Sequence, residues 1–522
     1  MSTPSTIPER QDVKAVNAGA KASGLPLYKT RTKIFPKRAE GNFRRLKWQI
    51  MLVTLAIYYV TPWLRWDRGP YAPNQAVLVD IAHRRFYFLF LEIWPQEFFY
   101  VAGLLVMAGV GLFLVTSVVG RAWCGYTCPQ TVWTDLFIAV ERFIEGDRNA
   151  RIKLDSAPWG LRKIGLRLIK HGIWILIAIA TGGAWIFYFA DAPTLLKSFF
   201  TGQAPFVAYA TVGVLTATTY VFGGLMREQV CIYMCPWPRI QAAMLDEDSL
   251  VVTYNDWRGE PRSHGSKKAL AQGLSTGDCV DCNACVAVCP TGIDIRDGQQ
   301  IECITCALCI DACDSVMNKI GKPAGLISYS TLRDYNHNLA LAEDPTTRVI
   351  SPARIRDGAG QFVANVRHFN WHTLFRLRTF IYLGLWSLIG ITMLLMLMTR
   401  DRLQLNVQHD RNPISVKLSD GSIRNGYTIK LLNMVPEPRV ITLSIDGLPG
   451  AQMAVVEMPE VKGRSAEIAV DPDKLRALHM FITQPLQLIA AGQVQFKIVA
   501  HDKQSSEQAA YSAQFDVPGT TP

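Results

Sequence analysis

Three observations predict a multi-domain membrane protein. Five long apolar stretches predict an α-helical transmembrane bundle. A duplicated cysteine run predicts a small ferredoxin-like α+β domain. Short alternating segments at the end of the chain predict an all-β, immunoglobulin-like sandwich. The chain has 522 residues, 49% hydrophobic and 19% charged, with a net charge of +11. That balance suits membrane segments joined to soluble parts.

The spans are read at 46–64, 98–119, 171–190, 205–226 and 379–398. Residues 1–47 carry 11 Lys/Arg against 3 acids. Loop 120–170 is also basic, with Arg142, Arg148, Arg151, Lys153, Arg162, Lys163, Arg167 and Lys170. Loop 191–204 carries only Asp191 and Lys197. Basic loops stay on the cytoplasmic side, so five spans run N-in and C-out. Residues 1–45 form a basic cytoplasmic tail, disordered over 1–40. Such a tail flanks a membrane rather than binding nucleic acid. Segment 131–144 has helical apolar spacing broken by Asp135, Glu141 and Arg142, and reads as a packed helix rather than a sixth span.

All twelve cysteines lie between 124 and 313. Eight form the run C-x2-C-x2-C-x3-C written twice: Cys279, Cys282, Cys285 and Cys289, then Cys303, Cys306, Cys309 and Cys313. In such runs three thiolates wrap one [4Fe-4S] cluster and the fourth ligates the other. One cluster is therefore assigned to Cys279, Cys282, Cys285 and Cys313, the second to Cys303, Cys306, Cys309 and Cys289. Pro290 follows the first run, and Asp314 stands in its place after the second. Structural zinc favours C-x2-C pairs set a dozen or more residues apart, and disulfides need an oxidising compartment. The signature means single-electron transfer.

The other four cysteines form two C-x3-C-P motifs, Cys124–Cys128 with Pro129 and Cys231–Cys235 with Pro236. Each closes the second or fourth span, carries a Tyr between its cysteines and has a Trp soon after, Trp133 or Trp237. The matched copies read as a two-span repeat. Their thiolates, soft ligands for Cu(I), zinc or iron–sulfur species, can meet as one metal or redox site, with Met234 an optional thioether. His171 has no histidine partner in another span for a haem, and His368 and His372 sit i, i+4 in a basic juxtamembrane stretch. Gly-rich nucleotide loops of the Rossmann type are missing from the sequence, so a nicotinamide or flavin must reside on the electron donor.

The predicted domains are the tail 1–45, a four-span region 46–250, the double-cluster domain 251–325, a juxtamembrane segment 326–378, the fifth span and a sandwich over 400–522. The sandwich should hold roughly seven strands, with turns at Ser419–Gly421, Asn425–Gly426 and Asp446–Gly447.

These paired motifs, the double run between the fourth and fifth spans and the C-terminal sandwich resemble the FixG/CcoG/RdxA group of bacterial membrane polyferredoxins, accessory proteins of cbb3-type cytochrome oxidase assembly. The resemblance implies a bacterial inner-membrane protein with cytoplasmic clusters and a periplasmic C-terminal domain. It implies cupric reductase activity, Cu(II) to Cu(I), with copper as substrate or transient ligand at or near Cys124, Cys128, Cys231 and Cys235. The expected partners are a cytosolic electron donor, a copper chaperone or transporter, oxidase subunits or assembly factors, lipid and a second copy of the chain. Two alternatives stand beside it: a quinol-linked respiratory relay, and a non-catalytic scaffold or redox sensor.

Overall fold

The computed structural model describes residues 33–263, 276–345, 350–356, 362, 363, 365–367, 370, 375–488 and 493–517. His368, His372 and most of the predicted disordered tail lie outside them. The chain forms two compact units. One comprises residues up to Trp63 together with Phe99–Ile391; the other comprises Leu64–Phe98 together with Thr392 onward.

Four helical stretches among the described residues are long and apolar enough to cross a membrane: Pro95–Val119, Leu161–Ile186, Phe206–Met226 and Leu377–Met398. Their apolar side chains stay largely exposed, as lipid-facing surfaces require. The first predicted span is a helix, Asn42–Val60, but it is not among those four. Its first turn is built for protein contact. Arg44 makes a two-pronged bond to Asp135, both at 2.9 Å, and Lys47 is buried beside the same carboxylate.

The stretch Leu161–Ile186 begins ten residues before the predicted 171, because its basic residues have acidic partners. Lys170 reaches Glu145 at 2.9 Å and Arg167 reaches Glu145 at 3.2 Å. Those acids come from the packed helix Pro129–Glu145, where segment 131–144 was expected to be helical. Glu141, on the same helix, accepts from Arg227 at 2.8 Å and Arg151 at 3.0 Å. Burial alone would raise that carboxyl, but Arg227, Lys170 and Arg151 outweigh it and hold it at about 2.

Residues 33–40, expected to be disordered, run as an extended strap. Lys37 N–H donates to Ala287 O at 2.7 Å, and Ala39 is buried. Arg142 and Arg151 donate to backbone carbonyls at Pro36 and Lys37, which ties the segment down.

The strands in chain order are β1 (Val77–Asp80), β2 (Arg85–Phe88), β3 (Leu91–Ile93), β4 (Val251–Tyr254) and β5 (Ile327–Ser330). They are followed by β6 (Leu403–His409), β7 (Val416–Lys417), β8 (Ile423–Asn433), β9 (Arg439–Asp446) and β10 (Gln452–Val455). The last are β11 (Met458–Gly463), β12 (Ser465–Val470), β13 (Leu475–Gln484), β14 (Val494–Asp502) and β15 (Gln508–Phe515). β4 and β5, one on each side of the cysteine region, pair antiparallel.

The second unit is a two-sheet sandwich. One sheet runs β11-β10-β13-β8-β6 with β7 on β8, and the other runs β12-β9-β14-β15. Alternating residues such as Ile441, Leu443 and Ile445 fill the space between them. Among the described residues the sandwich has ten strands against the roughly seven expected. Asn425–Gly426 is not a turn but lies inside β8, where Phe481 and the Asp410 side chain press on Gly426 and leave no room for a Cβ. Ser419–Gly421 and Asp446–Gly447 are turns, with Gly421 and Gly447 at positive φ.

The sequence reading overlooked β1–β3. This antiparallel sheet packs in the second unit through Trp94, which joins Leu432 and Met434. Arg85 lies over the Trp94 ring and bridges Glu92, at 3.1 Å, and Asp473, at 3.5 Å. Burial first, then Asp473, pushes Glu92 up from 4.5 to about 7 against the pull of Arg85. A carboxyl whose folded value is raised keeps its proton longer in the folded state. The resulting penalty is absent below about 4.5 and complete above about 7. This unit should therefore resist unfolding better at pH 5.5 than at pH 8, by about 1–3 kcal/mol. Limited-proteolysis midpoints at the two pH values check this, and Glu92→Gln should flatten the difference.

Candidate iron–sulfur and thiol centre

The two ferredoxin-type runs adopt the same backbone. Asp281 and Asn283 in the first, and Thr305 and Ala307 in the second, all have positive φ, between 49° and 58°. These are matching positions, before and after the second cysteine of each run. Left-handed non-glycine residues cost about 1–3 kcal/mol each, so their repetition marks a conformation held for function. It curls each loop so that its cysteines face inward, and a short helix follows, Ala284–Val288 or Leu308–Ile320.

The curl also aims backbone amides at sulfur. Ala284 N–H faces Cys282, Thr305 N–H faces Cys303 and Leu308 N–H faces Cys306. Burial raises the free thiols: Cys285 and Cys303 are each pushed up to about 12. Buried thiols in apolar surroundings, with donors already directed at them, suit a thiolate-bound inorganic cluster.

Cys313, from the second run, lies within electrostatic reach of Cys285, Cys279 and Cys282. Cys289, from the first, lies within reach of Cys303, Cys306 and Cys309. One small cavity is bordered by Cys285, Cys289, Cys303, Cys306 and Cys309. The grouping therefore crosses between runs. Among the described residues, no three His, Cys, Asp or Glu side chains converge on a single ion position.

Cations line these cysteine groups. Arg296 donates to Asp281 and Asn283 at 2.8 and 2.7 Å and faces Cys285 and Cys279. Lys47 faces Cys306. Asp311, between Cys309 and Cys313, accepts from the amides of Phe43 at 3.2 Å and Arg44 at 2.7 Å. It thereby caps the open N-terminus of the Asn42–Val60 helix. Sequence reasoning missed Asp311, since nothing in its spacing announces a cap for a helix 267 residues away.

The two C-x3-C-P motifs also share a backbone. Cys128 N–H donates to Trp123 O at 2.9 Å, and Cys235 N–H donates to Val230 O at 2.8 Å. In each motif the second cysteine is extended, as a residue before proline prefers, and a helix starts just beyond. Cys231 lies within electrostatic reach of Cys128, Cys124 and Cys235. Cys124 Sγ donates to Gln241 Oε1 at 3.0 Å, and Gln241 Nε2 donates to Thr116 Oγ1 at 3.1 Å. Met234 is half exposed.

This thiol group abuts the second run. Cys124 and Cys306 share one apolar core with Val288, Ile304 and Leu308. Tyr126 donates to Cys306 O at 3.2 Å, and Arg121 donates to Ile301 O. A Cβ on Gly125 would meet Ile304 O at 2.7 Å and Cys306 Cα at 3.0 Å. Only glycine allows the approach.

The comparisons agree with this geometry. Residues 226–332 match a 4Fe-4S dicluster domain, 101–147 a 4Fe-4S binding domain, and 393–518 the Ig-like fold at the C-terminus of FixG. The nitrogen fixation protein FixG of Rhizobium meliloti is 64% identical over 98% of this chain and 97% of its own. The chain belongs to the FixG/RdxA family. RdxA of Cereibacter sphaeroides is 52% identical over 88% of this chain and 91% of its own, and RdxB of that organism is 56% identical over 83% and 87%. This FixG-family chain is a membrane iron–sulfur protein with an Ig-like C-terminal domain.

Proposed function

We propose that this protein carries single electrons through the membrane surface and reduces Cu(II) to Cu(I) for assembly of a cbb3-type oxidase. One [4Fe-4S] cluster is held by Cys279, Cys282, Cys285 and Cys313, the second by Cys303, Cys306, Cys309 and Cys289. When bound, each supplies one-electron storage. Five spans carry the chain N-in and C-out through a bacterial inner membrane, with the ferredoxin domain cytoplasmic and the sandwich periplasmic. Copper is the substrate: Cu(II) gains one electron at or near Cys124, Cys128, Cys231 and Cys235 and leaves as Cu(I), which soft thiolates favour. The electron originates from a cytosolic donor.

One observation carries this reading: Cys124 and Cys306 share a core, so the thiol group and the second run form a continuous path. Arg121 and Gly125 bring the two loops together, and Tyr126 fixes the Cys306 carbonyl.

A quinol-linked relay has one feature in its favour. A cavity of about 440 Å³ is bordered by Arg121, Leu245, Glu247, Ser249, Ile301 and Cys303. The test is anaerobic. Purified, pre-reduced protein receives Cu(II), and Cu(I) is trapped with a chromogenic chelator. One Cu(I) per stored electron supports copper reduction. Indifference to Cu(II) with rapid reduction by a short-chain quinol supports the relay, and failure of both leaves a scaffold.

A further inference from the structure

We propose that Cys124, Cys128, Cys231 and Cys235 hold a third iron–sulfur cluster, of the [4Fe-4S] type. This assignment stands apart from the copper reading, in which copper would pass at its edge. Four thiols arrive from two segments whose backbones repeat, as the ferredoxin loops repeat. Soft thiolates select Cu(I), zinc or iron–sulfur species, and a buried cation beside them favours the anionic cluster.

A second observation is independent of the cysteines. Arg121 is almost fully buried and lies beside Cys124, Cys231 and Cys303. One of its nitrogens, Nη1, is engaged with Ile301 O, and the guanidinium faces the Cys124 thiol. A buried guanidinium is costly unless an anionic acceptor faces it. A cluster with four thiolate ligands is such an anion, and its sulfurs accept hydrogen bonds. The segment also matches a 4Fe-4S binding domain at 101–147, although Cys124 and Cys128 are the only cysteines in that range. That domain needs two more thiols, and Cys231 and Cys235 supply them.

The test counts iron and acid-labile sulfide in anaerobically purified full-length protein, with Mössbauer spectroscopy of enriched iron. The expected content is about 12 iron and about 12 sulfide per chain, against about 8 of each for the ferredoxin runs alone. Cys124→Ser with Cys231→Ser should remove about 4 of each and leave the remaining signals unchanged. Wild-type protein with about 8 iron, or copper or zinc at these thiols in its place, overturns the assignment. Should the double variant fail to insert, the wild-type count and Arg121→Gln decide: that variant should lose the third share of iron selectively. Equal iron in Arg121→Gln and wild-type protein, with about 8 in both, overturns it as well.

Discussion

Replacing Cys313 with serine should remove the iron bound by the first cysteine run and spare that bound by the second, although Cys313 belongs to the second. On the helix Leu308–Ile320 its sulfur is turned toward Cys279, Cys282 and Cys285. Cys289 makes the reciprocal crossing toward Cys303, Cys306 and Cys309. Each replacement should lower iron by about 4 per chain and leave a different surviving spectrum. The spectrum left by Cys313→Ser should match that of Cys282→Ser, and the one left by Cys289→Ser should match that of Cys306→Ser. EPR of the reduced variants reads this directly. If Cys313→Ser instead matched Cys306→Ser, each run would hold its own cluster and the crossing would be wrong. The effect should be nearly complete for one centre, because three thiolates leave one iron without a protein ligand. The remaining buried thiols are then pushed back toward protonation: burial raises Cys285 to about 12.

How much of this was legible in the chain follows from how local each signal is. The eight-cysteine run is a local pattern, and its geometry is repeated in four left-handed residues at matching positions. The long apolar helices and the alternation of Ile441, Leu443 and Ile445 are local as well. What escaped notice was non-local. Strands β1–β3 are only 3–4 residues each and gain their burial through Trp94 and Arg85. The strap 33–40 has no apolar periodicity, and it is held by Arg142 and Arg151 more than 100 positions away. Asn425–Gly426 has a turn's composition but a strand's environment. The partnership of the two C-x3-C-P motifs could be inferred from their repetition, yet Arg121, Gln241 and Gly125 gained meaning only from what they touch. Gly125 sits inside its motif, so a glycine between two cysteines was the one available hint of close approach.

Gly125→Val should loosen the second cysteine run without disturbing the first. The nearest atoms to a Cβ there are Ile304 O, Cys306 Cα and Cys306 N, all backbone, so no flexible side chain can yield. One loop must move away from the other. Overpacking of this kind costs about 1–3 kcal/mol, and every 1.4 kcal/mol is about tenfold in an equilibrium. The displaced loop carries Cys303, Cys306 and Cys309, whose amide-to-sulfur contacts depend on its curl. Iron held by that loop should therefore escape to a strong chelator about tenfold faster or more. Iron held by Cys279, Cys282, Cys285 and Cys313 should keep its wild-type rate, because the three atoms nearest a Cβ at Gly125 all belong to the second loop. Gly109→Ala serves as the control, since a Cβ at Gly109 meets nothing within 4 Å. Time-resolved iron release, with EPR to identify the surviving centre, separates the outcomes. Uniform loss from both centres would mean general unfolding, and unchanged loss would mean that the two loops are not pressed together. Selective loss would identify Gly125 as the point where the membrane-surface thiols lean on the ferredoxin domain, with Tyr126 and Arg121 on either side of the same junction.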